Sequence, residues 1–208
     1  MDWENPLRSI ATTVDADVLK VLAGTHTSVT GNQLARLSGR SYAQVSFVVR
    51  RLTDEGIVSA EQHGSTYSYR LNRAHVLAPG LLNILSAPSR IEDEIKEFVE
   101  GWEFPPETLA LFGSAARREA TPESDVDIFV VCPDEVDSDD AAWRAQIGDL
   151  ERMVEERSGN RAQLFEIDRS ALAEAVDTDQ PLIESLRTES RVLVGEDLRL
   201  RLATKIRR

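Results

Sequence analysis

Residues 109–131 read LALFGSAARREATPESDVDIFVV and contain the most informative pattern in the C-terminal half of the chain. An apolar run ends at Gly113 and Ser114, a polar stretch follows, and a second apolar run begins around Asp125 and Asp127. Residues i and i+2 of a β-strand share a face, so the two carboxylates are expected to project together. Mg²⁺ prefers oxygen ligands and commonly takes one or two carboxylates together with substrate phosphates. The pattern therefore predicts a site for metal and nucleoside triphosphate, beside a glycine that permits close backbone approach.

Three short motifs in this stretch carry a family resemblance: Gly113-Ser114, Ala116-Arg117 and Ser124-Asp125-Val126-Asp127. Gly-Ser or Asp-x-Asp alone is a weak signal, whereas both together at this spacing, each on a predicted strand, form a specific one. The pattern resembles the DNA polymerase beta-like nucleotidyltransferases. Within them it is most similar to the minimal branch that includes antitoxin-type members and relatives of kanamycin nucleotidyltransferase. The resemblance covers roughly residues 90–200.

This resemblance implies an activity and a role for individual residues. The implied reaction transfers a nucleoside monophosphate from a nucleoside triphosphate (NTP) to an acceptor, with Mg²⁺ (or Mn²⁺) as the metal. Asp125 and Asp127 are the implied metal ligands and catalytic residues. The implied nucleotide-binding residues are Gly113, Ser114, Arg117 and Ser124.

The sequence departs from the family pattern at two positions. Arg118 stands where the family usually has glycine, and a turn that needs a positive φ tolerates arginine poorly, so a reshaped loop is expected. Gln163 occupies the position of the family's third carboxylate, and an amide cannot act as a base. Glu166 is the nearby candidate for this catalytic role, although strand alternation puts it on the opposite face unless a bulge turns it inward.

Composition restricts the classes of function. No apolar run approaches the ~20 residues that span a bilayer, and the acidic start lacks an apolar signal region, so no membrane contact is expected. The single Cys132 cannot form an internal disulfide, which indicates a cytoplasmic setting. The net charge of −12 is uneven, because residues 1–85 carry eight Lys/Arg against seven Asp/Glu while residues 86–208 carry the acidic excess. The C-terminal part is therefore disfavoured as a nonspecific nucleic-acid binder.

The first part of the chain has the pattern of a winged helix-turn-helix. Within residues 14–85, three segments have helical apolar spacing, the second of them beginning after the N-cap candidate Thr30. Two β-rich runs, Ile57–Gln62 and Thr66–Leu71, follow and are joined by a short turn that suits a hairpin tip. This order resembles bacterial regulators of the MarR and ArsR type. It predicts that the third helix enters the major groove of double-stranded DNA.

Seven residues of this part are candidates for contacts with DNA, either with base edges or with phosphates. They are Arg40, Ser41, Gln44, Ser46, Arg50, Arg51 and His63. The alternative is that this fold serves as a protein-interaction module, since the net charge of this part is close to neutral.

The predicted fold class is α+β, with an N-terminal winged helix-turn-helix and a C-terminal nucleotidyltransferase α/β domain containing a small mixed sheet. The predicted domains are residues 1–85, a helical linker at 86–104, and residues 105–208. The linker helix from about Ile91 to Gly101 has one apolar face, which favours a homodimer.

Two functions remain open from the sequence. The first is a DNA-binding protein whose nucleotidyltransferase domain modifies an acceptor such as a partner protein or toxin. The second is a catalytically degenerate regulator of transcription that senses nucleotide or docks a partner. The intact Gly-Ser and Asp-x-Asp motifs favour the first function, and Gln163 with Arg118 favours the second.

Overall fold

The computed structural model describes residues 1–177 and 181–195. Contacts divide the chain into two units: one consists of Asp2 and residues 4–87, and the other of Met1, Trp3 and the chain from Pro88 onward. Residues 178–180 and 196–208 of the predicted last domain lie outside the described residues.

The first unit contains helices and a three-stranded antiparallel sheet. A 3₁₀ turn at Pro6–Ser9 precedes α1 (Thr13–Gly24), β1 (Val29–Thr30), α2 (Gly31–Ser38), α3 (Tyr42–Asp54), β2 (Val58–His63), β3 (Thr66–Leu71) and α4 (Ala78–Leu85). The strand order is β1-β3-β2, and β2 and β3 form the predicted hairpin. The three helices and the hairpin therefore occur in the predicted order, while the assignment of this unit as a winged helix stays a prediction.

Local sequence signals fix two of these helices. Thr30 caps α2 and Ser41 caps α3, and in both cases the residue three positions later is a glutamine whose side chain returns to the cap, which completes a capping box. The inward faces of α1, α2 and α3 then bury a shared core that includes Leu22, Leu34 and Val49.

The second unit is a four-stranded mixed sheet with helices on both faces. Its elements are α5 (Ala87–Glu100), β4 (Thr108–Phe112), α6 (Gly113–Ala116), β5 (Val126–Val131), α7 (Ala141–Ser158), β6 (Ala162–Ile167), α8 (Arg169–Asp177), α9 (Pro181–Glu189) and β7 (Arg191–Gly195). The strand order is β6-β5-β4-β7, with β5 and β6 parallel and the other pairs antiparallel. The predicted mixed α+β class with a small mixed sheet is confirmed.

Strand alternation divides the core of this unit into two layers. Val126, Ile128 and Val130 belong to the cluster that contains residues of α5 and α7, whereas Phe129 and Val131 belong to the cluster that contains residues of α8 and α9. The apolar face of α5 is buried in the first of these layers, so it is not available for the dimer contact that its sequence favoured. Homodimer formation stays a prediction without this support.

The described helices include none that combines the length and the apolar character needed to cross a bilayer.

Candidate active site

The site lies where β4 ends and β5 begins. These strands are antiparallel, and Phe112 at the end of β4 pairs with Asp127 near the start of β5, so residues separated by a long loop become neighbours. Gly113 follows directly and adopts a φ of +63°. A Cβ at this position would lie 2.7 Å from Oδ2 of Asp127, closer than non-bonded atoms approach. The left-handed backbone and the carboxylate beside it therefore both favour glycine here, because a side chain would displace the carboxylate of Asp127.

Asp125 and Asp127 are acceptors that no other described residue satisfies, since neither forms a hydrogen bond or ion pair within residues 1–177 and 181–195. Both are half-buried. Loss of solvent raises the pKa of Asp127, and the charge of Asp125 raises it further. The pair is a concentration of negative charge, and the described part of the chain places no ion-paired cation on either carboxylate. It contains only two carboxylates, and the described part of the chain holds no cluster of three or more metal-ligating side chains.

Gln163 stands next to this pair. It is the register partner of Asp127 on the neighbouring parallel strand β6, so the two side chains leave the sheet on the same face. β6 is an edge strand, and Gln163 is exposed. The position beside Asp127 is therefore occupied by a neutral amide.

Glu166 is not brought to the site. The register between β5 and β6 runs without a break from Val126 to Val131, so the bulge that would turn Glu166 inward is absent from this ladder, and that suggestion is wrong. The carboxylate of Glu166 lies on the opposite face, where it accepts hydrogen bonds from the indole of Trp143 at 2.9 Å and from Arg144 at 2.8 Å. Its observed contacts tie β6 to α7.

The other predicted nucleotide-binding residues differ in what they are free to do. Ser114 follows Gly113 in α6 and is half-buried, and its hydroxyl forms no hydrogen bond to another described residue. Arg117 is exposed and is paired with Glu119 at 2.8 Å and with Glu189. The hydroxyl of Ser124 accepts from the backbone N–H of Thr121 at 3.0 Å, which closes the turn before Asp125.

Arg118 adopts the left-handed conformation, with a φ of +62°, instead of reshaping the loop as expected from its side chain. Its guanidinium group contacts Glu92 at 2.8 Å and Ser89 at 3.1 Å. Glu92 is 1% exposed and also pairs with Arg191 at 3.0 Å. Burial raises the pKa of Glu92 although two arginines oppose this effect. The ion pairs account for an arginine where glycine was expected, and no local sequence signal indicated Glu92.

Within the first unit, four of the seven predicted DNA contacts are engaged inside the protein. Ser41 and Gln44 form the capping box of α3, where Oε1 of Gln44 accepts from the hydroxyl of Ser41 at 2.9 Å. Arg51 pairs with Asp15 at 2.7 Å and with Glu55 at 3.4 Å. The fourth is Arg40, which donates through Nε to Asp17 at 2.7 Å.

Asp17 is the centre of a buried ion cluster. It is 3% exposed and also accepts from Nε of Arg8 at 2.8 Å and from the amide of Asn5 at 3.1 Å. Burial alone would raise the pKa of Asp17, but the hydrogen bonds from Arg40 and Arg8 outweigh burial and lower it. The side chain of Arg40 is thereby committed to the core of this unit.

Three predicted DNA contacts remain on the surface. Ser46 and Arg50 are exposed on α3, and Arg50 forms no ion pair with another described residue. His63 is exposed at the hairpin, 3.8 Å from Oε2 of Glu61. Phe47, in the same exposed part of α3, is 73% exposed.

Comparison with known proteins finds one family model for part of the second unit. Residues 89–179 match the family model of the nucleotidyltransferase domain, which confirms the predicted resemblance for this segment. No curated protein matches the chain. Two solved structures are similar to it, each at 19% sequence identity. One is a toxin–antitoxin crystal structure with AMP-PNP (TM-score 0.39, 55% of this chain and 83% of that chain). The other is a mutant of the toxin–antitoxin MntA-HpeT (TM-score 0.40, 55% of this chain and 82% of that chain).

Proposed function

We propose that the second unit is a metal-dependent nucleotidyltransferase that moves a nucleoside monophosphate from an NTP to an acceptor. The observation that carries this proposal is the pair Asp125 and Asp127, which share one end of the sheet with Gly113 and form no hydrogen bond or ion pair within residues 1–177 and 181–195. A structural role would leave these carboxylates hydrogen-bonded or paired, because unpartnered buried charge is unfavourable. A ligand that is itself cationic resolves this imbalance.

A divalent cation fits the residues present. Asp125 and Asp127 supply hard oxygen ligands. Burial first and the charge of Asp125 second raise the pKa of Asp127, and the attraction of a bound cation would oppose both effects. Mg²⁺ or Mn²⁺ bound here would supply charge neutralisation for the triphosphate and for the leaving pyrophosphate. Two protein carboxylates leave coordination positions for phosphate oxygens and water, as is usual for Mg²⁺.

The residues around the carboxylates suit the triphosphate. Gly113 keeps the space beside Asp127 open, because any side chain there would meet Oδ2. We assign the free hydroxyl of Ser114 and the adjacent backbone N–H groups to phosphate oxygens. Arg117 is held by Glu119 and Glu189 and would have to exchange these partners to reach phosphate, whereas Ser124 shapes the loop and is assigned no direct contact.

The acceptor is identified by incubating the full chain with Mg²⁺ and each of the four NTPs labelled at the α-phosphate. One series contains the chain alone, and a second adds proteins that are encoded by neighbouring genes or that copurify with the chain. Transfer of the α-label to protein, with release of pyrophosphate, is the expected result. Label from the γ-phosphate would instead indicate a kinase. A partner protein, as the family resemblance implies, is the first acceptor to test, and self-labelling is the second.

Asp125→Asn and Asp127→Asn are expected to abolish transfer, and Glu123→Gln is the matched control, since this exposed carboxylate lies in the same loop. Transfer that survives Asp127→Asn, or that Glu123→Gln abolishes equally, would contradict the assignment of the site.

A second candidate is a nucleotide sensor without transfer activity, and the neutral Gln163 beside Asp127 is the observation that favours it. Such a protein would bind Mg²⁺ and NTP at the same residues but would release no pyrophosphate with any acceptor. Equilibrium dialysis with a non-hydrolysable NTP, run beside the labelling experiment, separates the two functions.

For the first unit, we propose that DNA contact, if this unit has that role, is made by the exposed Ser46, Arg50 and His63 and not by the residues that cap α3 or pair with Asp17. Binding to DNA containing the gene's own promoter should fall steeply with salt and with Arg50→Ala, because phosphate contacts release counterions. Arg40→Ala should act through stability instead. Binding that ignores salt and Arg50 would leave the exposed Phe47 as the sign of a protein-docking surface.

A further inference from the structure

Asn160 is a buried amide whose side chain is fully hydrogen-bonded. It is 1% exposed. Its Nδ2 donates to the backbone carbonyls of Thr121 at 2.9 Å and Ser124 at 3.0 Å. Its Oδ1 accepts from the indole of Trp3 at 3.2 Å and from the amino group of Met1 at 2.8 Å. These four bonds use the whole donor and acceptor capacity of an asparagine side chain.

The contacts of Asn160 and of the next residue flank Asp125 on both sides. The carbonyl of Ser124, just before Asp125, is held by the side chain of Asn160. The N–H of Val126, just after it, donates to the carbonyl of Arg161 at 2.8 Å. Two consecutive residues just before β6 therefore fix both peptide groups next to Asp125, whose own side chain forms no hydrogen bond or ion pair with a described residue.

Asp125 needs such support more than Asp127 does. Asp127 lies inside β5 and is held by strand pairing with Phe112 on one side and Gln163 on the other. Asp125 precedes the first residue of β5 and lacks this pairing.

The turn before Asp125 does not need Asn160 for its shape. The N–H of Ser124 donates to the carbonyl of Thr121 at 3.0 Å, and the N–H of Thr121 donates to the hydroxyl of Ser124. These bonds close the turn by themselves. What Asn160 adds is the location of the closed turn relative to the sheet, and hence the location of Asp125 relative to Asp127.

We propose that Asn160 is a positioning residue that sets the spacing of Asp125 and Asp127 for a shared divalent cation. This inference rests on the proposed function, since it assumes that the two carboxylates bind one metal–nucleotide complex. Mg²⁺ demands near-ideal geometry at about 2.0–2.1 Å from each oxygen, so small displacements of one carboxylate weaken binding. The side chain of Asn160 acts through the backbone and touches neither metal nor nucleotide.

The test measures Mn²⁺ binding to the full chain by electron paramagnetic resonance, with a non-hydrolysable ATP analogue present. Asn160→Ala is expected to raise the half-saturating Mn²⁺ concentration about tenfold, the size of effect seen when the residues supporting a metal ligand are removed. Trp3→Phe removes the indole donor to Oδ1 together with part of a buried ring, keeps both bonds that Nδ2 donates, and should give a smaller shift in the same direction. Val154→Ala is the control, because it opens the core of α7 without touching the turn.

Thermal unfolding of each variant separates positioning from general destabilisation. A shift in Mn²⁺ affinity for Asn160→Ala that Val154→Ala reproduces at equal loss of Tm would overturn the inference, as would an unchanged affinity for Asn160→Ala. Where Asn160→Ala does not fold, Trp3→Phe decides, and an affinity equal to that of the wild type then overturns it. Asn160-dependent Mn²⁺ binding without any transfer of label keeps the inference and refutes the transferase. A wild-type chain that binds no Mn²⁺ refutes both.

Discussion

Asp127→Asn is expected to stabilise the metal-free protein while it removes the metal site. The pKa of Asp127 is raised by burial first and by Asp125 second, so the folded protein holds this carboxylate in its charged form at a cost. A raised carboxyl pKa in the folded state means that this cost is absent at low pH and grows as the pH rises through the folded-state pKa. The amide carries no charge at any pH, so its advantage should be full at neutral pH and should vanish in acid.

The part of this effect that comes from Asp125 can be estimated from the spacing of the two carboxylates. Two positions along an extended chain are about 6.6 Å apart. Two unit charges at that distance repel by about 0.6 kcal/mol in water and by about 2.5 kcal/mol at the effective dielectric constant of a protein surface. Because Asp127 is half-buried, about 1 kcal/mol is expected for the substitution. For a chain of this length, that corresponds to a rise in Tm of about 2–4 °C.

The assay is thermal unfolding in chelator at several pH values and again with millimolar Mg²⁺ and a non-hydrolysable NTP. Wild-type protein should gain Tm on adding the ligands, since binding to the folded state alone stabilises it. Asp127→Asn should begin higher and gain nothing. Glu123→Gln, which removes an exposed charge from the same loop, should behave as wild type in the presence of the ligands. If Asp127→Asn is less stable than wild type at pH 7 without metal, then Asp127 forms a stabilising contact, and the claim that its charge destabilises the metal-free protein is wrong.

Three further predictions test separate parts of the molecule. Gly113→Ala should abolish metal binding and lower the unfolding free energy by about 1–3 kcal/mol. Gly159→Ala is the control: its φ is +70°, but a Cβ there would meet no atom within 4 Å, so it should cost only the backbone strain and should keep the metal site. Equal metal binding by both variants would contradict the steric argument. Gln163→Asp should raise the rate of label transfer tenfold or more, because it would place a carboxylate that can act as a general base beside Asp127. Glu166→Gln should leave that rate unchanged and lower only Tm, and the reverse result would mean that the assigned faces of β6 are wrong. Asp17→Asn should lower the unfolding free energy, measured by urea titration, by about 2–3 kcal/mol at pH 7. Because the pKa of Asp17 is lowered in the folded protein, this difference from wild type should shrink as the pH falls through that pKa. A difference that does not depend on pH would contradict the ion cluster.

The secondary structure of the second unit could be predicted because its signals are local. β4 (Thr108–Phe112) is the apolar run that ends at Gly113 in the sequence, and the strand of the structure stops at the residue before that glycine. Both ends of α7 (Ala141–Ser158) have local sequence signals. Asp140 accepts hydrogen bonds from the backbone of the first turn, and Gly159 adopts the left-handed conformation that ends the helix. Period-two alternation likewise predicts that Asp125 and Asp127 project together.

The features that could not be predicted depend on contacts between distant residues. Arg118 keeps a conformation that its own side chain disfavours because Glu92, 26 positions earlier, lies buried beside it. Asn160 holds a turn that is almost forty residues away in sequence. At α3 a local signal has a second use: Ser41-x-x-Gln44 is a capping box, so the side chains predicted to contact DNA also cap the helix, and their contact with DNA stays a prediction.

The two candidate functions of the second unit differ in what they require of each residue. A domain retained only as a scaffold gains nothing from two neighbouring carboxylates that have no partner among the described residues at the end of its sheet, since their repulsion and partial burial lower stability. Asp125 and Asp127 are such a pair. Gln163, in contrast, is exposed on an edge strand, where either an amide or a carboxylate is tolerated at little energetic cost. The neighbouring carboxylates Asp125 and Asp127 therefore argue for a bound cation and nucleotide. We expect residue 163, where substitution costs little stability, to determine whether the bound nucleotide reacts.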